Sequence, residues 1–200
     1  MAGLIEFYFD FSSPYSYLAA EKIDALAARF GREVDWRPIL LGAVFQHLNT
    51  VSLVKQPSQS EYAIRDMARS ARHMGIPFTF PSRFPLPTQA AARAFYWIVE
   101  QDVALAKAFA HAVFRAFYVD DEDISAPALV LDIAAGLGVE RAALEAGIAS
   151  PEIKQRLKQE TEDSIAKGLF GAPWMIVDGE AFWGADRLPQ IEQWLETGGF

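Results

Sequence analysis

Apolar positions along this chain follow two periods, and the change from one to the other marks its elements. Leu4 to Phe11 is a nearly continuous run of β-prone aromatic residues, which predicts a buried strand. Leu18, Ile23, Leu26 and Phe30 then recur near one helical face, which predicts a helix from Tyr17 to Phe30 with Gly31 as its C-cap. Pro14 suits the first helical position, because the amide it lacks would have no intrahelical partner there. Ser13 falls at the cap. From Glu33 to Leu40 the pattern alternates again, with Val34, Trp36 and Ile39 facing inward, and Pro38 marks an edge or a bulge. The first forty or so residues therefore read as strand–helix–strand, with parallel strands and a right-handed crossover.

The helical period then holds for over a hundred residues. Helices are predicted over Gly42–Leu48, Ser60–Met74 (closed by Gly75), Thr88–Gln101 with Thr88 as cap, Asp102–Tyr118, Ala126–Gly136, Gly138–Gly147 and Pro151–Lys167. Asn49–Gln59 reads as a polar loop. Phe78–Pro87 holds three prolines and three phenylalanines, so it is neither a regular helix nor a central strand. Such a segment either lines a pocket or plugs the core. Strand character returns in Pro173–Trp183, where Asp178-Gly179 is a hairpin turn, and Asp186–Glu196 is the closing helix with Leu188, Ile191 and Leu195 on one face.

The order β-α-β, helices, β-β-α predicts an α/β thioredoxin-like fold with a large all-helical insertion. Residues 1–41 and 169–200 form the thioredoxin-like part, and 42–168 the inserted helical domain. An apolar fraction of 52% supports a substantial core. A formal charge of −8 argues against nucleic acid and against an anionic membrane surface as partners. With neither a signal peptide nor a membrane-spanning segment in view, the expected location is cytoplasmic.

The chain has no cysteine, which excludes disulfide frameworks and thiolate metal sites, and it sharpens the meaning of Ser13-Pro14-Tyr15-Ser16. With sulfur in place of both serine oxygens, this tetrad would be a Cys-x-x-Cys redox motif on a strand-to-helix turn. Here the turn cannot exchange disulfides. Either a ligand brings the sulfur, or Ser13 only caps a helix.

Four stretches together resemble the 2-hydroxychromene-2-carboxylate isomerase family, which is kappa-class glutathione transferase-like: Phe9-Asp10-Phe11-Ser12-Ser13-Pro14-Tyr15-Ser16-Tyr17, Gly75-Ile76-Pro77-Phe78, Phe170-Gly171-Ala172-Pro173 and Phe182-Trp183-Gly184-Ala185-Asp186-Arg187-Leu188. The resemblance implies glutathione as cofactor and Ser13 as the catalytic residue. It implies a cis Ala172-Pro173 bond whose backbone meets the glutathione peptide, and a γ-glutamyl site at Trp183, Gly184, Ala185 and Asp186. The family commonly has Asn or Ser where Ala185 stands. On the substrate side it points to Asn49, while a lysine frequent in the family is replaced by Gln59. It implies a homodimer and a small aromatic carboxylate substrate.

Serine is a poor nucleophile without an adjacent base, and His47, His73 and His111 are all remote from Ser13 in sequence. As a hydrogen-bond donor to a thiolate it needs no base. Lowering a thiol pKa of ~8.5 by two units takes roughly 2.7 kcal/mol. A hydrogen bond to a charged group contributes about 1.5–3 kcal/mol, and a helix N-terminus about 0.3–1 kcal/mol. The pair is therefore sufficient to hold glutathione as thiolate, ready to add reversibly to a conjugated carbon.

Other residues carry two readings each. Asp10 is a buried structural acid or sets the turn. Tyr15 and Tyr17 read as packing residues rather than acid–base groups. Phe84, Trp174 and Trp183 fill core or flank the site, Phe84 facing a flat substrate. Arg83, or one of Arg65, Arg69 and Arg72, meets a substrate carboxylate or lies on a solvated face. Asp186 caps the last helix or binds the cofactor. The histidines have no metal-ligand spacing, so no metal is expected. The function expected is a glutathione-dependent isomerase. Its rivals are a glutathione-consuming transferase of the same fold and a redox-dead binding module.

Overall fold

The computed structural model describes residues 3–200, so the first two residues of the segment 1–41 lie outside the described residues. A four-stranded sheet has the order β2-β1-β3-β4. β1 (Ile5–Phe9) is parallel to β2 (Val34–Pro38) and antiparallel to β3 (Trp174–Val177), which forms a hairpin with β4 (Glu180–Trp183). The helix α1 (Pro14–Arg29) makes the crossover from β1 to β2. Pro38 ends an edge strand, where a missing amide breaks no internal ladder. Asp178 and Gly179, with φ of 53° and 89°, form the hairpin turn.

Between β2 and β3 lie α2 (Leu41–His47), a 3-10 turn at Leu53–Lys55, α3 (Ser60–Met74), α4 (Gln89–Val99), α5 (Val103–Tyr118), α6 (Pro127–Gly136), α7 (Arg141–Ala149) and α8 (Pro151–Ala166). After β4, a 3-10 turn at Ala185–Arg187 leads into α9 (Leu188–Thr197). This is a thioredoxin-like α/β fold with a helical insertion.

Strand alternation decides what joins the two parts. Ile5, Phe7 and Phe9 face the main core, whereas Tyr8 faces a smaller one with Ile39, Val44, Leu169 and Trp174. The Phe9 ring lies 5.4 Å from Trp36, 5.8 Å from Phe95 of α4 and 5.7 Å from Phe114 of α5. One strand side chain thus bridges the sheet and two inserted helices. Truncating such a ring to alanine costs about 3–5 kcal/mol.

Two helix starts and one capping bond differ from the sequence reading, each for a local reason. α7 begins at Arg141 instead of Gly138, because the Glu140 carboxylate accepts the amides of Ala142 and Ala143 at 2.9 and 2.6 Å. It runs past Gly147, which is glycine for packing: a Cβ there would lie 2.2 Å from the Trp97 ring. α9 begins at Leu188, with Pro189 in its first turn, so Asp186 falls in the 3-10 turn before it and is not the cap. Thr88 precedes α4 but its side chain makes no capping bond; its hydroxyl is turned to Asp10.

The Phe78–Pro87 segment plugs the core. Phe78 stacks on Tyr118 at 5.7 Å and Phe84 on Phe117 at 6.3 Å, both on α5. No helix among the described residues is long and apolar enough to cross a membrane.

Candidate active site

The site grows from the turn between β1 and α1. Ser13 is the N-cap of α1, with extended backbone, and its Oγ accepts the Ser16 amide at 3.2 Å. The same hydroxyl donates to the carbonyl of Ala172 at 3.0 Å. No acidic side chain lies in the first turn of α1 to cancel the partial positive charge of its free amides. Ser13 therefore sits where an anion is stabilised, with its proton on a neutral carbonyl that a thiolate would outcompete.

Ala172-Pro173 is a cis peptide bond, as the resemblance implied. Its two carbonyls anchor two different turns: Ala172 O receives the Ser13 hydroxyl, and Pro173 O receives the Gly184 amide at 3.0 Å. Gly184 has a φ of 108°, and a Cβ there would lie 2.4 Å from Asp186 Oδ1. The carboxylate of Asp186 is largely exposed and pairs with Arg187 at 3.1 Å. Gly171 lets the Trp183 indole lie against the loop, since a Cβ would come within 2.4 Å of its Nε1. Trp183 and Phe170 meet edge to face at 4.6 Å and are both about half exposed. Trp174, expected to flank the site, packs in the small core beside Tyr8, and its indole nitrogen is buried without a partner.

Beneath the turn, Asp10 is buried, and burial pushes its carboxyl up against the pull of three hydrogen bonds. Tyr15 donates to Asp66 of α3 at 2.6 Å; burial first, then that bond, pushes its phenol well up. Tyr17 donates to Pro77 O at 2.8 Å, and burial followed by the Glu21 charge raises its phenol to about 12. Both tyrosines stay protonated at neutral pH, so neither is a base.

The structure thus brings together Ser13, Ala172, Pro173, Trp183, Gly184, Ala185 and Asp186, the 3-10 turn that carries the last two residues packing on α1. The substrate-side residues are placed differently. Phe84 stacks on Phe117 and packs at a tilt against Phe80, although its loop reaches the turn through the Leu86 amide, which donates to Ser12 Oγ at 3.0 Å. Arg83 pairs with Asp123 at 2.8 Å, so a substrate carboxylate would have to displace that pair. Asn49 follows α2 with a φ of 51° and is exposed. Arg65 pairs with Glu61, and Arg69 with Asp66, on the exposed face of α3. Sequence reasoning missed Asp66 and Thr88. They meet Tyr15 and Asp10 from 51 and 78 residues away, and no local pattern signals such contacts. His111 bonds Glu21 at 2.7 Å, and no group of three or more His, Cys, Asp or Glu side chains among the described residues could hold a metal ion.

The groups present suit glutathione. They offer an anion-stabilising hydroxyl and helix end for a thiol, an exposed carboxylate for an ammonium, and a cradle at Gly184 that a side chain would fill.

Residues 4–196 match the model of the DsbA-like thioredoxin domain family. A 2-hydroxychromene-2-carboxylate isomerase of Pseudomonas putida is 31% identical, over 94% of this chain and 92% of the relative. The chain belongs to the DsbA-like thioredoxin family, in its 2-hydroxychromene-2-carboxylate isomerase branch. Glutathione S-transferase kappa 2 of Caenorhabditis elegans is 29% identical, over 96% of this chain and 91% of the relative. A solved structure of a 2-hydroxychromene-2-carboxylate isomerase superposes with a TM-score of 0.87 at 29% identity, covering 97% of this chain and 95% of that one.

Proposed function

We propose that this protein is a glutathione-dependent isomerase acting on a small aromatic or enone-type carboxylate. The observation that carries the reading is the Ser13 hydroxyl, set at the N-terminus of α1, whose first turn holds no acidic residue, and 3.0 Å from the Ala172 carbonyl. Glutathione, when bound, supplies a thiolate that adds reversibly to a conjugated carbon and leaves unchanged. The protein's part is to hold that sulfur ionised and in place. Ser13 turns its proton from Ala172 O to the sulfur, while its Oγ keeps the Ser16 amide. The α1 amides add their partial charge. Asp186 meets the γ-glutamyl ammonium, the amide of Ala185 its carboxylate, and the Ala172-Pro173 backbone the peptide, while the Gly184 amide stays on Pro173 O and holds the turn. Trp183 closes one side. Asn49, Arg83 and Phe84 belong on the substrate side, with the loop of Phe84 bound to the turn through Leu86.

The likeness to the kappa-class relative favours a second reading, in which glutathione is conjugated and consumed. Both readings use one thiolate site, so the product separates them. Incubation of the enzyme with glutathione and 2-hydroxychromene-2-carboxylate should convert the substrate to its isomer with total free thiol constant. Free thiol lost in step with turnover would establish the transferase. The resemblance to the isomerase family also leads us to propose a homodimer as the working form, which light scattering in solution checks.

A further inference from the structure

Asp10 makes a set of contacts that helix capping and core packing do not require. Its Oδ1 accepts the Ser12 amide at 2.7 Å and the Thr88 hydroxyl at 3.1 Å, and its Oδ2 accepts the Leu41 amide at 2.7 Å. Its backbone carbonyl accepts the Ser13 amide at 2.9 Å, and its amide points to Ser16 Oγ at 3.4 Å. One residue therefore binds the turn that carries Ser13, the first residue of α2 and the residue before α4. Ser12 adds a second tie to the same segment by accepting the Leu86 amide, two residues before Thr88.

We propose that Asp10 is a positioning residue for Ser13: its carboxylate fixes the β1–α1 turn against the starts of α2 and α4, and so sets where the Ser13 hydroxyl is presented. This inference rests on the role proposed for Ser13.

Two arguments support it. All three side-chain partners present a proton, so the position calls for a group that only accepts. An ionised carboxylate does this; an amide would set its own N–H against the amide of Leu41 or of Ser12. Moreover, the carboxylate is kept there against the folding balance. Burial holds the Asp10 carboxyl up, so its favourable contribution belongs to the protonated form below the ordinary carboxylate range and is lost as pH rises through the folded value. At neutral pH an ionised Asp10 lowers stability. The Tyr118 phenol, buried without a hydrogen-bond partner, feels that charge. Space filling alone would be served better by an apolar side chain.

The test uses the full chain with Asp10→Asn and, separately, Thr88→Val, each titrated with glutathione and followed by thiolate absorbance against pH, with kcat and KM for glutathione. In Asp10→Asn the bound thiol should titrate about one pH unit higher than in wild type, because the Ser13 donor is misplaced. At neutral pH kcat should fall about tenfold, with KM for glutathione within about twofold, since Asp186 and the Gly184 turn are untouched. Thr88→Val, which removes one of the three ties, should move the thiol the same way by a smaller step, and it carries the test if Asp10→Asn does not fold. A lower melting temperature with an unchanged thiol titration and unchanged kcat would make Asp10 merely structural and overturn the proposal. A bound thiol that titrates lower than in wild type would report removal of a charge, not loss of position, and overturn it too. Absence of a thiolate signal in wild type would remove the role of Ser13 itself, and this inference with it.

Discussion

Two turns hang from one cis dipeptide, and they are built in opposite ways. The β1–α1 turn, held by Ala172 O, is buried, and the polar side chains of Asp10, Ser12, Ser13 and Ser16 are all hydrogen-bonded. The turn between β4 and α9, held by Pro173 O, is open: its glycine has a positive φ, its tryptophan is half exposed, and the Asp186 carboxylate lies in solvent. The first fixes a single hydroxyl at a helix end. The second offers groups whose final positions a ligand must settle. On the proposed function, chemistry and recognition are separated between two short segments that share a backbone anchor. Substitutions in the first should act on kcat, and in the second on KM.

The sharpest break of this division is Ser13→Ala. It removes one hydrogen bond to a charged sulfur, so kcat at neutral pH should fall about ten- to hundredfold. Loss of the cap should lower stability by only about 1 kcal/mol, read by denaturant unfolding. Gly184→Ala acts on the other turn. A side chain at a φ of 108° with a Cβ 2.4 Å from Asp186 Oδ1 should cost about 1–3 kcal/mol of stability and raise KM for glutathione, with kcat nearly unchanged. An equal loss in kcat would show that the turns are not independent. Tyr15→Phe should be milder. It removes the bond to Asp66 and leaves Asp66 paired with Arg69, so unfolding should register about 1 kcal/mol, with no change in the pH profile of kcat because that phenol stays protonated.

The smallest effect lies outside both turns, at Glu6. Burial raises its carboxyl, but the hydrogen bonds from Lys167 at 2.6 Å and Tyr8 at 2.5 Å outweigh it and hold the group below its ordinary value. A lowered carboxyl contributes stability that is complete above the unfolded value near 4.5 and is lost as pH falls through the folded one. Lys167→Met should flatten that acid loss by less than about 1 kcal/mol, since the pair is partly exposed. Chemical unfolding at a series of pH values checks it.

Much of the architecture was legible because it rests on local rules. Pro14 inside the start of α1, the Asp178-Gly179 turn and the aromatic alternation of β1 each have a short-range cause. Both core turns of the site were also within reach, through the Ser13-Pro14 tetrad and the Ala172-Pro173 pair. What escaped was long-range. Thr88 looks like a cap and serves Asp10, because a buried carboxylate 78 residues away competes for its hydroxyl. Gly147 looks like a helix end, yet the helix continues, because the glycine admits Trp97. Glu140 caps α7 although sequence points to the preceding glycine. The Phe84 loop carried two readings, and only the placement of α5 decides that its rings plug the core. Substrate-side residues were the least readable, since they rest on loops whose positions no short-range rule sets.

The most direct test of the account is a glutathione titration of wild type and Ser13→Ala, followed by ultraviolet thiolate absorbance at neutral pH. The account predicts saturable binding with a thiolate signal in wild type, and binding with that signal largely lost in Ser13→Ala. An equal thiolate signal in both proteins would contradict the role given to Ser13.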